Sequence, residues 1–232
     1  MCLLGVLAPA IDRGGLMSVA QAYRVELQEV RERFLLMAGR VENMIAGAVT
    51  ALNERDTEAA RIVIAEDPLV NQDEREIDDL CISILARRNP MASELRFLTL
   101  ALKMSTELER IGDLAVDVCQ RAVWISNREP VRTHDAIPMM GKLTQAMVRD
   151  VIDAFVDHDA ESARDVCEQD DRVDELYHLV TDDLLDWMKS GDVPLELGVK
   201  YQSVAKQLER IADHAVQIAE LVVYLVEGRD NR

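Results

Sequence analysis

Glu109 and Asp113 stand four residues apart, and Glu209 and Asp213 repeat the pair one hundred positions later. The surrounding segments, Leu108 to Val118 and Leu208 to Ile218, are identical at seven of eleven positions. On a helix, residues four apart are neighbours, so each pair sets two carboxylates on one side. Left alone they repel by about a few tenths of a kcal/mol. A hard cation held through oxygen removes that repulsion. Two carboxylates from one helix therefore begin a site for iron, manganese, magnesium or zinc. Ordinary ion pairs are the competing resolution. Arg110 and Arg210 stand three residues before Asp113 and Asp213, and Lys206 stands three before Glu209. Asp117 extends the first acidic ladder by a turn, whereas its counterpart is Gln217.

The elements that must position these acids follow from periodicity. Apolar residues recur at helical spacing nearly everywhere, and helices are predicted over 20–53, 57–88, 91–126, 139–157, 160–189 and 195–227. Asp67-Pro68 predicts a break or kink inside the second helix. The halves align beyond the acidic motif: Asp56 answers Asp159, Asp67 answers Asp170, Asn71 answers Asp174 and Pro90 answers Pro194. The expected fold is all-α, two pseudo-symmetric three-helix bundles made of six long helices. The first repeat is expected at 17–128, a linker at 129–138 and the second repeat at 139–232. Two separate lobes joined at the linker are the alternative. Residues 1–16 read as a disordered or mis-called N-terminal extension, with Met17 as an alternative start.

On a heptad grid the third helix presents Ser105, Gly112 and Cys119 in one column, and Leu108, Ala115, Ala122, Ile111, Val118 and Ile125 in the next two. The sixth helix repeats the pattern with Ala205, Ala212 and Ala219 beside Leu208, Ile211, Ala215, Ile218, Val222 and Leu225. Such a face packs in the coiled-coil manner. Glu109 and Glu209 border this apolar seam, and Asp113 and Asp213 fall just outside it.

Composition limits the function classes. Of 232 residues, 49% are hydrophobic and only 4% aromatic, with 10 Gly and 6 Pro, which reads as globular and helical. A net charge of -17 argues against a nucleic-acid partner, which needs a basic face, and permits a cation or a basic protein. Cys2, Cys81, Cys119 and Cys167 show no paired spacing, so the last three read as small apolar residues in a reducing compartment. The apolar stretch 1–10 lacks a basic leading segment and makes a poor signal peptide. No uninterrupted apolar run has transmembrane length.

The duplicated Glu-Arg-Ile-Gly/Ala-Asp motif resembles that of the PhoU family, regulators of phosphate uptake. Asn89-Pro90-x-Ala92-x-Glu94-Leu95-Arg96, Leu36-Met37-Ala38 and Ala51-Leu52-x-x-x-Asp56 are similar to further family stretches, and the likeness spans about residues 20–228. The resemblance implies multinuclear iron or zinc clusters, carried here onto Glu109, Asp113, Glu209 and Asp213, with Asp117 added. It implies a cytoplasmic negative regulator of the phosphate-starvation response. That regulator would associate with the cytoplasmic side of a phosphate ABC transporter and with a sensor histidine kinase, meeting the membrane through those partners. An acidic amphipathic bundle could also dimerise.

Other residues carry weaker signals. His214 follows Asp213 directly and points roughly 100° away around the helix. Glu175-x-x-His178 has ferritin-like di-iron spacing but occurs once, where that site needs two. Asn71, Asp78 and Asp174 on the preceding helices could reach the acidic pairs, and solvated positions also explain them. His134 and His158 fall in or near loops, and the Met residues read as core filler. No Gly-rich phosphate loop or nucleophile elbow is present. A non-enzymatic adaptor is the leading expectation, against a carboxylate-bridged di-metal enzyme or a metal-free helical scaffold.

Overall fold

The computed structural model describes residues 19–129 and 133–228. Six helices follow one another: α1 (Val19–Glu54), α2 (Thr57–Arg87), α3 (Ala92–Ser126), α4 (Ala136–Asp157), α5 (Ala160–Ser190) and α6 (Leu195–Glu227). The helices α1, α2 and α3 pack together as one unit, α4, α5 and α6 as a second, and the units meet along α3 on α6 and α1 on α4. The two three-helix bundles expected from the repeat are therefore present, side by side. The predicted N-terminal extension lies outside the described residues.

Sequence dictates the helix starts. Asp56 Oδ1 accepts from the backbone N–H of Glu58 and Ala59, and Asp159 Oδ1 from those of Glu161 and Ser162. These aligned aspartates are N-caps, each typically worth ~1 kcal/mol. The residue before each, Arg55 and His158, adopts a left-handed backbone at φ 56° and 55° to make the sharp turn. Glu94 opens α3, its Oε2 accepting from the Met91 N–H at 2.9 Å and from Tyr23 Oη at 3.0 Å.

Two expectations need correction. The second helix is unbroken at Asp67-Pro68; α2 runs through it. Pro68 stands on the exposed face, and Asn71 Nδ2 donates to the Asp67 carbonyl at 3.1 Å. Packing of α2 on both α1 and α3 outweighs the ~3 kcal/mol that an interior proline costs. The fourth helix begins at Ala136 rather than 139, taking Pro138 into its first turn, where a missing N–H costs nothing. His134 explains the early start. Its Nδ1 accepts from the Ala136 N–H at 3.1 Å, which leaves Nε2–H to donate to Asp183 Oδ2 at 2.9 Å.

The core runs through both units without a gap. The seam residues named above are buried, Leu225 being partly so, and the small column Ser105, Gly112, Cys119 with Ala205, Ala212, Ala219 lies wholly inside. All three phenylalanines of the chain gather between the repeats. Phe34 meets Phe155 edge-on at 4.9 Å, Phe97 stacks on Phe155 at 6.2 Å, and the Arg31 guanidinium covers both Phe97 and Phe155. By length and composition α1 could cross a membrane over Gln21–Glu54. Its apolar side chains Phe34, Met37, Val41, Met44, Ile45 and Ala48 are nonetheless buried in this core.

Candidate metal centres

The seam fixes the acids by geometry. Burying the Leu108/Ile111/Ala115/Val118 face of α3 leaves Glu109 at its edge, half-buried, and Asp113 one turn on, exposed. On α6, Glu209 is likewise half-buried and Asp213 exposed. Asp117 is half-buried but engaged: Arg121 Nη1 lies 3.1 Å from its Oδ1.

The structure adds acids from the preceding helices. Asp67 on α2 comes within hydrogen-bonding reach of the Asp113 carboxyl, and Glu74 on the same helix faces both Glu109 and Asp113. Burial raises Glu109, and the nearby charges of Asp113, Glu74 and Asp67 raise it further. Asp113 is raised by burial, then by Asp67, Asp117 and Glu74. In the second repeat, burial pushes Asp170 on α5 from 3.8 to about 6, helped by Asp174, Asp213 and Glu209. Its Oδ1 is buried without a hydrogen-bond partner. A cluster of carboxylates that resist ionisation is the electrostatic signature of a site short of positive charge.

Asp67 and Asp170 are the functional candidates that the reading of the motif missed. Their signal was present, because the repeat alignment pairs them, but an acid on a neighbouring helix is tied to the motif only by helix packing. Asn71 is not a direct member of the cluster; its amide donates to Asp67 Oδ2 at 3.2 Å and holds that carboxylate in place. Asp174 does join the second cluster. Asp78 faces a separate groove with Lys103, Thr106 and Glu107.

The ion-pair alternative holds at one point and fails at two. Lys206 Nζ lies 2.6 Å from Glu209 Oε1. Arg110 turns back to Glu107 at 3.1 Å, and Arg210 to Gln207 at 3.4 Å, so neither serves the motif aspartates. His214 is buried and bonds Glu107 Oε2 at 2.6 Å, joining α6 to α3. Glu175 and His178 are exposed, with Glu175 paired to Arg172 at 2.7 Å, which removes the basis for a ferritin-like pair.

The donor set is all oxygen, which suits iron, manganese or magnesium better than zinc. The orphaned Asp170 Oδ1 is an acceptor that such an ion would satisfy. As the side chains stand, no three His, Cys, Asp or Glu groups among the described residues converge on one metal position. Beside the first cluster an open groove of about 620 Å³ is lined by Asp67, Asp113, Asp117, Arg110, Arg210 and His214.

Comparison with known proteins places this frame. The PhoU domain family model matches residues 34–122 and 137–222. A phosphate-specific transport system accessory protein PhoU homolog of Pseudomonas putida is 39% identical over 215 residues, covering 92% of this chain and 84% of that protein. The accessory protein PhoU of Escherichia coli is 32% identical over 214 residues, covering 92% and 89%. The crystal structure of PhoU from Pseudomonas aeruginosa superposes with a TM-score of 0.86 at 38% identity, covering 89% of this chain and 100% of that one. The phosphate transport system regulatory protein PhoU from Streptococcus pneumoniae gives 0.85 at 28% identity, covering 90% and 99%. The family model matches both halves of the duplicated frame, and the relatives match along most of the chain: this protein belongs to the PhoU family.

Proposed function

We propose that this protein is an accessory regulator of phosphate transport. It acts in the cytoplasm as a helical adaptor between a phosphate ABC transporter and its sensor histidine kinase, and restrains the starvation response when phosphate is plentiful. Kinship with accessory proteins of the phosphate-specific transport system supports the transport role. The observation that carries the adaptor reading is the pair of acidic clusters held on rigid packed helices, half-buried but each presenting an exposed aspartate, Asp113 or Asp213. Surfaces of that kind suit recognition; a reacting group needs a secluded site and a matched acid or nucleophile.

Metal belongs to this proposal as a modulator of docking. Asp67, Glu109, Asp113 and Asp117 would hold it in the first repeat, and Asp170, Asp174, Glu209 and Asp213 in the second. The ion supplies the positive charge that the clusters lack. The proposal is tested by deleting the gene and assaying alkaline phosphatase in phosphate-rich medium. Derepressed phosphatase is expected, and unchanged repression in a strain with no second copy refutes the regulatory role. Elemental analysis of wild type beside the Glu109→Ala/Glu209→Ala variant tests the metal separately.

A further inference from the structure

The chain carries a net charge of -17, yet one groove of about 320 Å³ gathers cations that no carboxylate has claimed. It lies where the early turns of α1 and α3 meet the α4–α5 turn and the last turn of α6. Arg24 and Arg31, seven residues apart on α1, lie two turns apart on one face and both line it. Neither has an ion-pair or hydrogen-bond partner among the described residues. Arg31 is nevertheless held in place: its guanidinium lies 5.6 Å from the centre of the Phe97 ring and 6.0 Å from that of Phe155. A fork fixed in this way presents its N–H groups with little freedom left to lose. Ser93 and His158 add a hydroxyl and an imidazole, and Leu27, Phe97 and Leu225 an apolar wall. His158 is itself fixed by a bond from Nδ1 to the Val156 carbonyl at 3.2 Å.

The acids nearby are already engaged. Glu94 is the one carboxylate lining the groove among the described residues, and its Oε2 accepts from the Met91 N–H and from Tyr23 Oη. Glu29 and Glu32, which share a neighbouring groove with Arg24, accept from Arg33 at 3.5 Å and from Gln28 at 3.0 Å. We propose that the groove binds a phosphoryl group of a small molecule, with Arg24 and Arg31 on its oxygens and any organic body against Leu27, Phe97 and Leu225. Two guanidinium groups match a group that carries about -1.5 to -2 charges at neutral pH, and each fork can meet two of its oxygens. A carboxylate brings a single charge and two oxygens, which leaves one guanidinium unanswered. The site is separate from the acidic clusters: Ser93 and Asp113 stand twenty residues apart on α3, about 30 Å along the helix. With such a groove the protein would read a phosphorylated ligand directly, and that consequence alone rests on the regulatory reading above.

The test is isothermal titration calorimetry on the full chain near neutral pH, with phenyl phosphate, inorganic phosphate and benzoate as probes. Phenyl phosphate should bind at one site, and Arg24→Gln and Arg31→Gln should each weaken it about tenfold, the worth of one charge-assisted hydrogen bond. Arg24 is exposed, so its variant tests the site even if Arg31→Gln disturbs the rings beneath. Arg172→Gln, which removes a charge from the exposed face of α5, should leave binding unchanged. Inorganic phosphate that binds as tightly, with the same need for Arg24 and Arg31, supports the site and identifies free phosphate as its ligand. Inorganic phosphate about tenfold weaker supports the site and identifies an ester whose body uses the apolar wall. Benzoate binding as tightly as phenyl phosphate, an affinity unmoved by Arg24→Gln, equal weakening by Arg172→Gln, or no binding of either phosphate at about 10 mM would overturn the inference. The alkaline phosphatase assay judges the regulatory role independently of all these outcomes.

Discussion

Asp170 offers the sharpest measurement. Its carboxyl is pushed from 3.8 to about 6, first by burial and then by the charges of Asp174, Asp213 and Glu209. A raised value means that the folded protein disfavours the ionised form. The associated stability is fully present below about pH 4 and is lost as pH rises through about 6. A rise of that size corresponds to about 3 kcal/mol at full weight. Solvent still reaches this side chain, so about half of that, ~1–1.5 kcal/mol, is the expected effect. Asp170→Asn is neutral at every pH and keeps the shape. In chelator at pH 7.5 it should melt ~3–5 °C above wild type, the shift such an energy gives a chain of this length. At pH 4 the two proteins should melt together. Circular dichroism melts across that range are sufficient. A variant no more stable than wild type at pH 7.5, or a gap that widens on acidification, would refute the electrostatic account of the cluster.

The caps, core and thiols give further checks. Asp159→Ala should cost ~1 kcal/mol in urea denaturation, because two backbone N–H groups at the start of α5 lose their acceptor; an unchanged midpoint would contradict that role. Phe155→Ala should cost ~3–5 kcal/mol, since its ring fills the junction of α1, α3 and α4; a loss below 1 kcal/mol would mean that this junction collapses to fill the gap. Cys81 and Cys119 are buried, and burial pushes both thiols to about 12, so they should resist Ellman's reagent at pH 8 until the protein unfolds. Rapid labelling of either in the native state would show that the core opens there.

The repeat makes most of the fold legible in the sequence. Helical periodicity and the aligned Asp56 and Asp159 gave six helices with ends nearly in place, because caps and apolar spacing are local properties. Pro68 misled because its cost is local while its compensation is tertiary: α1 and α3 clamp the helix on either side of it. His134 was unreadable for the same reason, since capping α4 depends on Asp183, 49 residues away, fixing its other nitrogen. The motif acids were found at the positions the heptad grid assigned, the glutamates at the seam's edge and the aspartates outside it. Asp67 and Asp170 became members only once α2 and α5 were laid alongside.

The contact between Glu107 and His214 carries a meaning for how the two halves recognise each other. The repeats are related by a pseudo-two-fold, so the mirror of that contact is Gln207 with Leu114. One side of the junction is a carboxylate with an imidazole, both nearly buried, and the other side carries no ionisable group. Two first repeats brought together in the same way would set Glu107 against Leu114 twice, leaving Oε2 of each carboxylate without its imidazole and only Arg110 on Oε1. Two second repeats would leave His214 facing Gln207 and the acid missing. The halves are thus addressed to one another and away from copies of themselves. The chain can keep its fold while each half diverges on its outer face.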